Sequence, residues 1–258
     1  MKSIDPEKTA HQLVAFIKDV FGKGGYTNAV IGLSGGIDSA TSCTLAIQAL
    51  GPTHIYPVLL PYGKLNNQET KDAQMMTKWL KIPEKHVRTV DIQPMVDALV
   101  QTIDSAMDEG RRGNIMARMR MMVLYDLAKA MPALVVGTEN KTEHLLGYYT
   151  RFGDEASDIE PLRHLYKTQV YELARHLDVP KKILTKPPTA GLWEGQTDEG
   201  EFGFTYKDAD SILSLFFDEH KTKKQIIAMG FNKVLIERVW WWIDKGSYKD
   251  RAPFIPQG

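Results

Sequence analysis

The feature that most restricts the fold is a junction. The apolar run Ala29–Leu33 (AVIGL) passes directly into Ser34-Gly35-Gly36-Ile37-Asp38-Ser39, and a helical pattern follows near Asp38–Leu50. A short apolar run bounded by turn signals reads as a strand covered on both faces. The pattern then recurs. His54–Leu60 is a second strand, followed by a helix over Asn67–Leu80, and Val87–Ile92 and Ala133–Gly137 are further strands. Helical spacing returns near Met95–Asp108, Asn114–Met131 and Tyr166–Leu177. Alternating strands and helices imply an α/β fold built on a doubly wound parallel sheet, for which five strands are expected. Two or three helices close the chain over Tyr206–Lys245, while Gly147–Pro161 and Pro187–Phe204 read as loops, the second of them mobile. With no repeat and no long linker, residues 1–258 are expected to form a single domain.

Charge and cysteine content narrow the function classes. Lys plus Arg and Asp plus Glu are each 32, so neither nucleic acid nor a membrane surface is an expected partner. The single cysteine, Cys43, excludes an intrachain disulfide and falls on the apolar stripe Ala40, Cys43, Ile47, Leu50, a core position. The first twenty residues carry acidic side chains and broken apolar runs, unlike a signal peptide or a span. They read as an amphipathic helix with Leu13, Phe16, Ile17 and Val20 on one face, stopped by Gly22, Gly24 and Gly25. A cytoplasmic location is expected. The histidines show no metal-ligand spacing.

The six residues after the first strand suit an anion. Glycines let backbone N–H groups approach without a Cβ in the way, and the helix that starts here adds unpaired donors and a positive dipole end. Ser34 and Ser39 supply hydroxyls, and Asp38 in the first turn is placed to hold Mg²⁺ against a polyphosphate. Taken alone, a Gly-Gly turn with a capping Asp or Ser is ordinary; the full string at the carboxyl end of a first strand is where open α/β sheets bind ligands. No G-x-x-x-x-G-K-[ST] and no G-x-G-x-x-G follows the strand, so neither a kinase-type loop nor an ordinary dinucleotide fingerprint is present.

The string SGGIDS resembles the loop of the N-type ATP pyrophosphatases, an adenine nucleotide alpha-hydrolase-like group that cleaves ATP between its α and β phosphates. Four more strings resemble one branch of it, the ammonia-dependent NAD synthetases. They are Gly113-Asn114-Ile115-Met116-Ala117-Arg118-Met119-Arg120-Met121, then Gly137-Thr138-Glu139-Asn140-Lys141-Thr142-Glu143 with Gly147-Tyr148-Tyr149-Thr150-Arg151-Phe152-Gly153-Asp154, then Leu165-Tyr166-Lys167-Thr168-Gln169-Val170, and last the segment Lys186–Glu199. They run in order from about Ala29 to Asp210.

The resemblance implies amidation of deamido-NAD by ammonia with ATP as co-substrate, through an NAD-adenylate, releasing AMP and pyrophosphate. It implies an ATP-facing set of Gly32, Ser34, Gly35, Gly36, Ile37, Asp38, Ser39, Thr138, Lys167 and Thr189. Asp38, Glu143 and Thr189 are its Mg²⁺ and phosphate ligands, and Asn114, Arg118, Tyr148, Arg151 and Asp154 face deamido-NAD, with Tyr148 a stacking candidate. Asp38, Asp154 and Lys167 form the catalytic set, Asp154 with a role toward ammonium, and Lys186–Glu199 is a lid against water. Arg120, two beyond Arg118, is expected to point elsewhere. A homodimer is implied, with the Met-rich helix (Met116, Met119, Met121, Met122) as contact or core. The tail departs from the family's His-Lys-Arg ending, reading Ser247-Tyr248-Lys249-Asp250-Arg251. A fused glutaminase would need another domain's length and a nucleophilic cysteine, and Cys43 is misplaced for that.

Overall fold

The computed structural model describes residues 3–249. It opens with helix α1 (Pro6–Gly24), capped by the Asp5 carboxylate accepting from the Lys8 N–H and ended by Gly25 in the left-handed region. The packed face is Ala10, Leu13, Ile17 and Phe21, which leaves Phe16 on the exposed side, and the helix runs through Gly22 and stops at Gly24 and Gly25, among the glycines expected to end it.

Four parallel strands, β1 (Asn28–Gly32), β2 (Ile55–Leu59), β3 (Arg88–Thr89) and β4 (Ala133–Val136), lie in the order β3-β2-β1-β4. Ala29 pairs with Ile55 on one side and Leu134 on the other. Successive side chains of β1 alternate between the two faces. Ala29 and Ile31 enter a core shared with α1, α2 (Ile37–Leu50) and α7 (Lys167–His176). Val30 enters the opposite core with Val58, Val135 and the apolar side of α5 (Glu109–Ala130). Cys43 is fully buried in the first of these cores.

The sheet is narrower than its sequence suggests. The expected third strand shrinks to Arg88–Thr89, both exposed, although the Val90 and Ile92 N–H groups still donate to Leu59 and Pro61 carbonyls at 2.9 Å each. No fifth strand occurs among the described residues. Beyond β4 the chain makes one bridge, Val136 with Ile159, and the Asp158 carboxylate accepts the Val135 N–H at 2.7 Å. That side chain takes a donor a fifth strand would have paired, and Pro161 follows without an N–H of its own.

The connecting helices are α3 (Asn67–Trp79), α4 (Gln93–Ile103), α6 (Lys141–Leu146) and α8 (Lys181–Leu184). The expected loop at Pro187–Phe204 contains a short helix, α9 (Asp198–Phe202), capped by Thr197. The last part holds α10 (Tyr206–Leu213), a π turn at Ser214–Asp218, α11 (Lys223–Ala228) and α12 (Lys233–Gly246). These elements bury a second core around Phe202, Phe204, Tyr206 and Ile236, against which Tyr148 and Trp242 pack. Helix α12 crosses α6 backbone to backbone: a Cβ on Gly147 would stand 2.4 Å from the Gly246 Cα, and Gly147 has φ +63°. The second core thus hangs directly on the segment after β4. No helix among the described residues is long and apolar enough to cross a membrane.

Candidate active site

Where β1 and β4 end, the chain turns outward and opens a cavity of about 580 Å³. One wall is the loop from Ser34. The Ser34 Oγ receives the Gly36 N–H at 3.2 Å and lies 3.0 Å from the Ser39 Oγ, which also accepts from the Ser34 N–H and donates to the Gly36 carbonyl. Both serines therefore hold the loop's shape while lining the cavity. Gly35 has φ +76°, and a Cβ there would meet the Glu69 carbonyl at 2.6 Å, so only glycine lets the loop lie against α3.

Facing this loop is a cluster built by local rules. Asn140 caps α6, its side chain accepting the Glu143 N–H, and the Glu143 carboxylate accepts the Asn140 N–H in return, a capping box. The same Asn140 amide donates to Asp38 Oδ1 at 3.0 Å. Lys167, at the start of α7, is 2 % exposed and donates to Asp38 Oδ2 at 2.6 Å and Glu143 Oε1 at 2.9 Å. The backbone under it is pinned by Asp210, which accepts from Thr142 Oγ1 and from the N–H and hydroxyl of Thr168, while the Lys167 N–H donates to Thr142 Oγ1 at 2.8 Å. Asp198, 4 % exposed at the start of α9, accepts from Tyr206 at 2.8 Å and Tyr148 at 3.2 Å.

Charge in this cluster does not balance. Asp38, Glu143 and Asp198 all act on the one Lys167 ammonium, and its attraction to these carboxylates outweighs its burial and holds it firmly protonated. Burial raises the Glu143 carboxyl, and the neighbouring Asp38 and Asp198 charges push it further against the pull of Lys167. Asp198 is raised by burial as well. Three carboxyl groups crowd one ammonium, and with Glu143 raised to about 8 the crowding is relieved by a proton near neutral pH, which leaves a set of hard oxygen donors ready to ionise onto a cation. Such a set fits a divalent cation arriving with a polyphosphate, because Mg²⁺ is usually held by one or two carboxylates plus phosphate oxygens. Among the described residues no group of three or more His, Cys, Asp or Glu side chains forms a metal cage by itself.

The remaining residues singled out from sequence divide into two sets. Gly32, Ile37, Thr138, Thr189, Asn114, Tyr148 and Asp154 all line the cavity. Asp154 accepts the Thr150 N–H at 2.9 Å, and the protein packed around it raises its carboxyl. Asn114 accepts from Thr150 Oγ1 at 3.0 Å. Tyr148 is edge-on to Phe202 and Trp242, and its hydroxyl is raised by burial and by Asp198 and Glu201. Arg118 and Arg151 are outside the lining: the Arg118 guanidinium donates to the Arg151 carbonyl at 3.2 and 3.3 Å on the rim. Arg120, expected to point away, faces the cavity instead, held by the Leu60 carbonyl and Asn66 Oδ1. Burial lowers it to about 10, which leaves it charged near neutral pH.

Sequence reasoning passed over Asp198, Tyr206 and Asp210. The caps of the first two were visible, since Thr197 precedes Asp198 and Thr205 precedes Tyr206, but a cap pattern does not say what the helix start will face, and Asp210 lies inside α10 with no such signal. In the tail, Lys249 lines the cavity and donates to the Gly147 and Tyr149 carbonyls at 2.6 and 2.5 Å; Asp250 and Arg251 lie outside the described residues.

The family model of NAD synthase matches residues 9–253, and so spans every residue of this cavity. The chain belongs to that family. The NH(3)-dependent NAD(+) synthetase of Fusobacterium nucleatum is 42 % identical over 245 residues, 95 % of this chain and 93 % of the other. Among solved structures, the NMN synthetase of Francisella tularensis superposes with a TM-score of 0.87 at 36 % identity, covering 99 % of this chain and 100 % of its own. The NH3-dependent NAD synthetase of Campylobacter jejuni, in complex with the nitrate ion, gives 0.82 at 28 % identity with the same coverage. The fold is thus shared with both over 99 % of this chain.

Proposed function

We propose that the enzyme amidates deamido-NAD with ammonia, using ATP, a reading in line with relatives named NH(3)-dependent NAD(+) synthetase. The observation that carries this reading is the Asp38–Lys167–Glu143 cluster set against the Ser34–Ser39 loop at the ends of β1 and β4. The nicotinate carboxylate of deamido-NAD attacks the α-phosphorus of ATP, pyrophosphate leaves, and an NAD-adenylate forms. Ammonia then attacks the acyl carbon, releasing AMP and NAD. The backbone N–H groups and hydroxyls of the loop, with the first turn of α2, hold the phosphates and the charge that grows on the leaving pyrophosphate. Lys167 fixes Asp38 and Glu143 in place and adds a positive charge beside the reacting phosphate.

Asp38 and Glu143, with the Thr189 hydroxyl, would hold Mg²⁺, which when bound supplies charge neutralisation between two anionic substrates. Asn114, Tyr148 and Asp154 face deamido-NAD inside the cavity, and Asp154, its carboxyl raised by the surrounding protein, orients ammonium and accepts its proton. The Lys186–Glu199 segment covers the adenylate against hydrolysis. We read residues 1–258 as one domain acting in the cytoplasm as a homodimer. Arg118 and Arg151, on the rim, would then meet the part of deamido-NAD that extends toward the partner subunit.

The deciding experiment is NAD formation from deamido-NAD, Mg-ATP and ammonium chloride, with glutamine tested in place of ammonium. NAD with ammonium and little with glutamine is expected; no NAD from a folded protein overturns the reading. Because the Francisella neighbour is named for NMN, deamido-NMN is run in parallel. Faster turnover of the mononucleotide would move the preferred acceptor to the smaller substrate and leave the chemistry unchanged.

A further inference from the structure

Lys186 stands at the foot of the covering segment and inside the cavity. Its ammonium lies 3.2 Å from Glu69 Oε1 and 3.2 Å from Asp72 Oδ2. Both contacts are long for charge-assisted bonds, which run about 2.7–2.9 Å. Asp72 does not depend on them: its other oxygen takes Lys182 at 2.7 Å and Gln68 at 2.8 Å. Glu69 and Asp72 sit on the turn of α3 against which Gly35 of the phosphate loop is packed. Lys186 is therefore parked on two carboxylates beside the anion loop, on a side chain 18 % exposed, with one of those carboxylates already satisfied.

The cavity also has need of it. Lys167 is committed to Asp38 and Glu143 at 2.6 and 2.9 Å and is not free to follow a phosphate. Lys186 is followed by Pro187 and Pro188, whose fixed φ makes the chain stiff up to Thr189. Beyond them the segment is tied down by the Asn66 amide donating to the Gly191 carbonyl at 2.9 Å and by Leu192 lying against Gly113.

We propose that Lys186 binds the terminal phosphates of ATP, leaving Glu69 and Asp72 for phosphate oxygens and drawing the Pro187–Leu192 segment over the nucleotide as it moves. This rests on the ATP reading of the cavity and adds to it a triphosphate-binding residue that also reports occupancy to the lid. The exchange swaps one set of oxyanions for another, so it costs little when phosphate is present and does not occur when it is absent.

The test measures equilibrium binding of the non-cleavable analogue α,β-methylene-ATP with Mg²⁺, pyrophosphate inhibition, and protease nicking within residues 187–197. Lys186→Met is expected to weaken analogue binding and pyrophosphate inhibition by about tenfold or more, the scale of one charge-assisted bond. Its KM for deamido-NAD should change little, and the analogue should no longer protect the segment from protease. Lys186→Arg should restore binding, and Glu69→Gln should tighten it by removing the competing carboxylate. Lys182→Met, which removes an equal charge from Asp72 alone, should lower Tm and leave analogue binding intact. Wild-type affinity in Lys186→Met, or an equal loss in Lys182→Met, overturns the proposal. A wild-type protein that binds no analogue overturns the ATP reading itself, which separates the two failures.

Discussion

At the scale of single residues, the site is a matter of charge that has been gathered and not neutralised. Asp38 shares Lys167 with Glu143, and removing its charge while keeping its shape should cost activity far more than stability. Asp38→Asn can keep its oxygen on the Asn140 amide only by turning its own NH2 toward the Lys167 ammonium, which is then left with Glu143 alone. Turnover is expected to drop on the order of a thousandfold or more, from loss of the proposed metal and phosphate ligand, with Tm at or below wild type because Lys167 loses a partner; near-normal rates in a steady-state assay would remove Asp38 from the proposed metal site. Glu160 gives a separate, pH-dependent prediction. Burial raises its carboxyl from 4.5 to about 8, assisted by the Glu139 charge and opposed by Ser157 and Arg163. The folded chain thus holds a proton that the unfolded chain has released, and stability falls as pH rises from about 4.5 to about 8. Glu160→Gln should lose less stability over that window than wild type, by at most about 1.4 kcal/mol per pH unit, in denaturant titrations at several pH values. Parallel pH profiles for the two proteins would contradict it.

At the scale of elements, helix starts place the chemistry. Asn140-x-x-Glu143 is a capping pattern that can be read in the sequence, and the same two side chains orient Asp38 and Lys167. What joins these starts into one site is close approach. The α6–α12 crossing is possible only because Gly147 and Gly246 have no side chains, and Lys249 then reaches the carbonyls of Gly147 and Tyr149. Gly147→Ala combines a positive φ with a backbone clash and should destabilise by about 2–4 kcal/mol. It should also lift the Tyr148–Asp154 wall, raising the KM for deamido-NAD more than that for ATP. Chemical denaturation and paired KM values would check this; an unchanged midpoint would mean that α12 can shift away at no cost.

At the scale of the whole molecule, α5 is the element with unfinished packing. Of its 22 residues, Gly113, Met116, Ala117 and Ala128 are buried, while Met122 is 57 % exposed and its neighbours Val123, Leu124 and Tyr125 are only partly covered. A helix with apolar surface on both sides suits the homodimer proposed above, with Arg118 and Arg151 at its margin. Wild-type protein should sediment at twice the 29.1 kDa chain mass. Met122→Glu should shift it toward the monomer and raise the KM for deamido-NAD; a dimer that persists in this variant would place the contact on another face.

The strand–loop–helix junction and the parallel sheet were legible from sequence because each depends on neighbours in the chain: apolar runs, glycines, and the start of a helix. The strings around Asn114, Thr138, Lys167 and Thr189 were legible as members of a family pattern. Tertiary structure alone decided which of them meet. It turned Arg120 inward and left Arg118 on the rim, brought Asp198 and Tyr206 to Lys167, parked Lys186 on α3, and replaced an expected fifth strand with the Asp158 side chain. The physical reason is the same in each case. These outcomes depend on contacts between residues tens of positions apart, where a side chain's direction is set by what packs against it, and that information is absent from any local window of the sequence.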